Sequence, residues 1–100
     1  MRLKVRQRLV RLPKEMELTV DQYRKVKPIM AATRDRVLGA LIDAKKGGRT
    51  LRTARRLKSE LKTVRADTVT QLRPILNDKQ MGQFAQAIDD VVEIVRKARE

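Results

Sequence analysis

Apolar residues recur along this chain every three or four positions, in four stretches separated by short polar or glycine-containing breaks. That period marks amphipathic helices rather than strands. In the first stretch Leu9, Leu12 and Met16 keep helical spacing, while Leu3 and Val5 alternate with charged residues as a strand does. The expectation is a short helix from Arg2 to about Pro13, ending or bending at the proline, which lacks an N–H and crowds the preceding turn. The second stretch runs through Tyr23, Val26, Met30, Thr33, Val37, Leu41 and Ala44. Pro28 interrupts it without shifting its phase, so a bend is expected there and an end at Gly47-Gly48. Leu51, Ala54, Leu57, Leu61, Val64, Thr68, Leu72 and Ile75 form the third seam, closed by Pro74, and Met81, Phe84, Ile88, Val91, Val95 and Ala98 form the fourth. The pattern predicts an all-α fold of four helices, two of them long, in one domain spanning residues 1–100.

Two of the predicted helices open on the same device. Thr19 is placed to accept from the Gln22 N–H while the Gln22 side chain returns to the Thr19 N–H, a capping box flanked by Leu18 and Tyr23 as a hydrophobic staple. Leu76, Asn77, Gln80 and Met81 repeat it. Asp21 and Asp78 in the first turns suit the helix dipole.

Composition narrows the chemistry. The chain has neither Cys nor His, which removes disulfides, thiolate sites and the commonest general base and transition-metal ligand. The acidic cluster Asp89, Asp90 and Glu93 reads as a solvated helix face, with Glu93 and Lys97 spaced as an ordinary ion pair. Gly47-Gly48 lacks the rest of a phosphate loop, and Ser59, the sole serine, has no histidine to activate it. No enzyme, metal site or cofactor is expected. No stretch approaches the length of a membrane span, and the N-terminus has no signal-peptide core.

The net charge of +13 lies on the first three quarters of the chain, because residues 77–100 are nearly balanced. Arg52, Arg55, Lys58, Lys62 and Arg65 step by three and four along the third helix, with Arg56 beside them and Glu60 the local counterweight. Such a stripe attracts polyanions or acidic polypeptides. Nucleic acid is a candidate partner, although two aromatic residues, Tyr23 and Phe84, make no stacking platform. Met16, Met30 and Met81 are expected in the core, and Met16 or Met30 is also suited to an adaptable binding surface.

Leu18-Thr19-Val20-Asp21-Gln22 and Leu76-Asn77-Asp78-Lys79-Gln80 together resemble the paired LTxxQ motifs of the Spy/CpxP family of small periplasmic helical proteins. The first match is complete, and the second carries Asn for Thr, which keeps the cap. The resemblance covers most of the chain and implies a thin, curved, antiparallel homodimer, cradle-like, with long helices crossing between subunits. It implies an ATP-independent chaperone of the stress response that holds unfolded or partly folded clients on a basic, partly apolar concave face. Some relatives instead regulate an envelope stress sensor or bind metal, and the lack of His and Cys departs from the metal-binding branch. A periplasmic location requires that Met1 stand in place of a removed signal peptide; otherwise the location is cytoplasmic. The client-binding set expected is Arg6, Arg8, Arg11, Arg52, Arg55, Lys58, Lys62 and Arg65, with Leu12, Met16 and Met30 as apolar additions. Leu18, Thr19, Gln22, Leu76, Asn77 and Gln80 are assigned to folding.

Overall fold

Three helices of this chain start where a side chain closes the first turn. In the computed structural model, which describes residues 2–99 (Arg99 as backbone only), all regular structure is helical: α1 (Arg2–Glu15), α2 (Val20–Lys46), α3 (Leu51–Leu72) and α4 (Asp78–Arg99). Thr19 Oγ1 accepts from the Gln22 N–H and the Thr19 N–H donates to Gln22 Oε1, both at 3.1 Å. Asn77 Oδ1 accepts from the Gln80 N–H at 2.8 Å, and the Asn77 N–H donates to Gln80 Oε1 at 3.1 Å. Thr50 caps α3 by accepting from the Thr53 N–H. The α2–α3 turn ends α2 at Gly47 and passes through Gly48 at φ +77°, the left-handed region in which glycine carries no Cβ penalty. Thr53 Oγ1 donates to the Gly47 carbonyl, and a Cβ on Gly47 would stand 2.9 Å from that same oxygen.

The prolines behave unequally. α1, expected to end or bend at about Pro13, runs two residues past it to Glu15, and Leu12 and Met16 on either side of the proline are both held in the core. Its termination falls to Glu17, at φ +50°, a left-handed conformation that side chains other than glycine rarely adopt. α2 continues through the exposed Pro28 without ending, and α3 stops ahead of Pro74.

Each helix touches two others: α1 with α2 and α4, and α3 with α2 and α4. Arg8 reaches Asp90 and Gln83 reaches the Glu15 carbonyl, so α1 and α4 run antiparallel; Arg36 with Asp67 and Thr33 with Thr68 show the same for α2 and α3. The result is an up-down-up-down bundle with principal extents of 43 × 22 × 20 Å. Val5, Leu9, Leu12 and Met16 of α1, Val26, Val37 and Leu41 of α2, Leu57, Leu61, Val64 and Leu72 of α3, and Phe84, Ile88, Val91 and Val95 of α4 close one core. Inside it the Thr33 hydroxyl donates to the Ile29 carbonyl at 2.9 Å and lies 2.9 Å from the Thr68 hydroxyl. Thr33 has then spent its one proton, so Thr68 donates to Thr33. This explains the polar residue in each seam. Three expected seam residues face outward instead, Ala98 near the end of α4 among them. Leu51 is 68% exposed because it opens α3 where α2 has already ended, and Tyr23 is 46% exposed at the rim of α2.

The two capping boxes meet. Gln22 Nε2 donates to Gln80 Oε1 at 2.9 Å, and Gln80 Nε2 donates to Gln22 Oε1 at 3.1 Å, across 58 residues of sequence. Gln22 Nε2 also donates to the Ile75 carbonyl and Gln80 Nε2 to the Met16 carbonyl. Each amide thereby fills two donor and two acceptor sites, the full capacity of the group. The 58-residue offset also relates buried positions, matching Val26 to Phe84, Met30 to Ile88, Thr33 to Val91 and Val37 to Val95. The chain is thus a repeated helical hairpin, α1–α2 and α3–α4, locked at its junction by two amides.

Substitutions at the caps separate the local from the tertiary role. Thr19→Ala removes one exposed cap bond and is expected to cost about 1 kcal/mol. Gln80→Glu removes both Nε2 donors and sets a carboxylate against the Gln22 and Met16 oxygens, with an expected cost of about 3 kcal/mol. Those oxygens disfavour the charged form, so the new carboxyl has a raised folded-state pKa, and the loss shrinks as pH falls through that value toward the unfolded value of about 4.3. Urea denaturation at neutral and acid pH measures both; equal costs for the two variants, or a Gln80→Glu deficit unchanged by pH, would contradict this role.

Candidate functional site

The basic residues expected to bind partners divide into three groups. Arg8 is bound internally, its side chain 12% exposed, with Nε on Asp90 Oδ2 at 2.9 Å and Nη1 on Glu15 Oε1 at 3.1 Å. It bridges α1 to α4. Arg6 and Arg11 are exposed on α1, Arg11 with only a 3.9 Å approach to Glu15. Arg52, Arg55, Lys58 and Lys62 are exposed on α3, and Arg65, half-buried, lies 3.8 Å from Asp89. α1 and α3 share no contact and occupy opposite corners of the bundle, so their cations form two separate groups. Leu12 and Met16 are core residues, closed to a partner while the bundle is intact, whereas Met30, also buried, lines the α1–α2 groove described below.

The acidic cluster on α4 is dispersed among cations. Asp89 faces Arg65, Asp90 binds Arg8 and Gln86, and Glu93 binds Arg96, three residues on, rather than Lys97. Hydrogen bonds from Gln86 and then Arg8 hold the Asp90 carboxyl below its ordinary pKa, and the Arg96 hydrogen bond does the same for Glu93. Among the described residues no group of three or more His, Cys, Asp or Glu side chains could hold a metal ion, and no helix is long and apolar enough to cross a membrane.

Grooves combine these cations with apolar surface. Between α3 and α4 an open groove of about 760 Å³ has Ala66, Val69, Leu76, Met81, Gly82 and Ala85 along its floor and Lys62, Arg65 and Arg73 on its rim, with Asp78. Between α1 and α2 a smaller one of about 230 Å³ places Val10, Pro13, Tyr23 and Met30 beside Lys27 and Arg34. A third, about 710 Å³, sets Leu3, Val10 and Ile94 among Lys4, Arg6 and Arg11. Val10, 53% exposed, is a ridge between the last two. The first two are counterparts in the hairpin repeat: at an offset of 56 residues between α1 and α3 Val10 and Pro13 stand where Ala66 and Val69 do, and at the offset of 58 between α2 and α4 Tyr23 stands where Met81 does. Sequence periodicity singled out Lys62, Arg65, Arg6 and Arg11, but not Arg73, Lys27 or Arg34. Lys27 and Arg34 lie on α2, and Arg73, though on the face of Lys62, caps the end of α3, so position at a hairpin seam is what sets them apart.

Fold and surface together define a small, cationic, antiparallel four-helix bundle with apolar-floored grooves. No family model, curated protein or solved structure matches the chain.

The Asp90 interactions predict an acid dependence. Its pKa is depressed in the folded state, so its contribution to stability is complete above the unfolded value near 3.8 and is lost as pH falls through the lower folded value. Asp90→Asn is expected to be less stable than the parent at pH 7 and to lose less on acidification below about pH 4. Thermal melts across that range test this, and identical acid limbs would refute it.

Proposed function

We propose that this protein is an ATP-independent, chaperone-like binder that holds acidic, unfolded or partly folded polypeptides loosely on its cationic grooves. The observation that carries the reading is the pairing, in the α3–α4 and α1–α2 grooves, of an apolar floor with a cationic rim. Charge at the rim speeds encounter over a Debye length, and the floor supplies contact that salt does not screen. Shallow grooves floored by Ala, Val, Met and Gly accept many sequences, as a client holder must. The resemblance of the two capping boxes to the LTxxQ motifs of the Spy/CpxP family supports the same reading, together with a periplasmic location and a homodimer. In such a dimer outward apolar residues such as Leu3, Val10, Val20 and Leu51 are available contacts, since the inner seams are filled.

One feature favours a second reading. The outer stripe of Arg52, Arg55 and Lys58 is exposed and has little apolar surface beside it except Leu51, a composition suited to phosphate contacts alone. On that reading the protein binds nucleic acid or another polyanion without preference for unfolded chains.

Light scattering from a reduced, unfolding client at equimolar dose, in about 0.05 and 0.3 M salt, separates the two, because the higher salt strongly screens surface charge. The chaperone-like reading expects suppression of aggregation that persists at the higher salt. Suppression abolished by salt, alongside nucleic-acid affinity with a steep log–log salt slope, would replace it with the polyanion reading. A solution mass near 11.6 kDa rather than twice that would remove the homodimer.

A further inference from the structure

Gly82 has no reason within the chain to be glycine. It lies inside α4, where glycine costs about 1 kcal/mol relative to alanine. A Cβ built on it meets nothing within 4 Å. The space it leaves open is the α3–α4 groove, whose floor continues through Ala66 and Ala85. Small side chains along a groove between two helices let a further backbone approach closely, at an interaxial distance of about 8 Å.

The rim is electrostatically unspent. Among the described residues Lys62 and Arg73 have no carboxylate within ion-pairing distance. Arg65 has its Nε buried without an acceptor, and its contact to Asp89 is long at 3.8 Å. Lys62 and Arg73 are separated by about 16 Å along the helix axis, or roughly three turns.

The geometry points to an acidic amphipathic helix as the occupant of the α3–α4 groove. Its apolar stripe lies on Val69, Met81 and Ala85, its backbone passes over Gly82, and its carboxylates meet Lys62, Arg65 and Arg73. Asp78 at the same mouth requires a neutral or basic residue at that end of the occupant. This deepens the function proposed above and rests on it, by naming the form in which a client segment is held. It is the helix-in-groove mode of recognition.

The test uses a labelled peptide of about 14 residues, long enough to span the three turns, with a Leu/Ala stripe flanked by Glu, and a scrambled peptide of the same composition. Fluorescence anisotropy is expected to show the amphipathic peptide binding the full chain roughly tenfold or more tightly than the scramble. Gly82→Leu fills the groove from a position with open space and a better helix former, so it is expected to melt no lower than the parent and to weaken the peptide by a similar factor. Lys62→Glu with Arg73→Glu is the second variant, expected to weaken binding without filling the groove. Equal affinity for the scramble, or unchanged affinity in folded Gly82→Leu, overturns the inference. Client aggregation measured on the same samples separates the two levels. If parent and Gly82→Leu suppress it equally while the peptide fails to bind, the groove assignment falls and the chaperone-like reading stands. If the parent fails as well, both fall.

Discussion

The amides of Gln22 and Gln80 exchange two hydrogen bonds across the junction of the hairpins, and each also serves its own cap and one carbonyl of the opposite connection. Gln80 is buried there. A buried amide with all four sites filled carries no desolvation deficit, whereas one with a missing partner carries the whole of it. The arrangement therefore accepts one register of the two hairpins and penalises its neighbours. Glu17 is held at φ +50° in the connection whose Met16 carbonyl serves this junction, and Pro74 and Ile75 lie in the matching connection.

That junction matters because each hairpin is incomplete by itself. The more extensive helix contacts are between hairpins, α2 on α3 and α1 on α4, while the contacts within α1–α2 and α3–α4 are sparser. Cross-hairpin pairs such as Arg8 with Asp90, Arg36 with Asp67 and Thr33 with Thr68 follow the same division. The sparser seams are where the two repeat-related grooves lie, so one asymmetry in packing supplies both the rigidity of the bundle and its accessible apolar surface. At the edge of the α3–α4 groove Lys62 and Arg73 have no carboxylate within ion-pairing distance among the described residues, which keeps that edge hydrated and attractive to acidic chains.

Helix existence and both capping boxes were legible in the sequence because they depend on spacing within a few residues. The end at Gly47-Gly48 and the polar Thr68 in the third seam were visible for the same reason. What escaped was tertiary. A capping-box glutamine looks the same whether its amide meets water or another amide, so the meeting of Gln22 and Gln80 left no local trace. Arg8 resembled its neighbours Arg6 and Arg11 until α4 brought Asp90 to it. The periodicity of α3 placed Lys62 and Arg65 on a stripe with Arg52, but could not assign them to a groove with Met81 and Ala85, since that requires the register of α4 against α3. Pro13 leaves open whether α1 ends or bends there, and burial of Leu12 and Met16 on either side carries the helix on to Glu15 despite the lost N–H.

The account's central claim is that partners are held by apolar floor and cationic rim together, rather than by charge alone. Amide and methyl NMR shifts during titration with an acidic, unfolded polypeptide test it residue by residue. The account predicts perturbations at the floor residues Val69, Met81 and Ala85 and at Val10 and Tyr23 of the repeat-related groove, persisting at moderate salt. Perturbations confined to Arg52, Arg55 and Lys58 and erased by salt would contradict it.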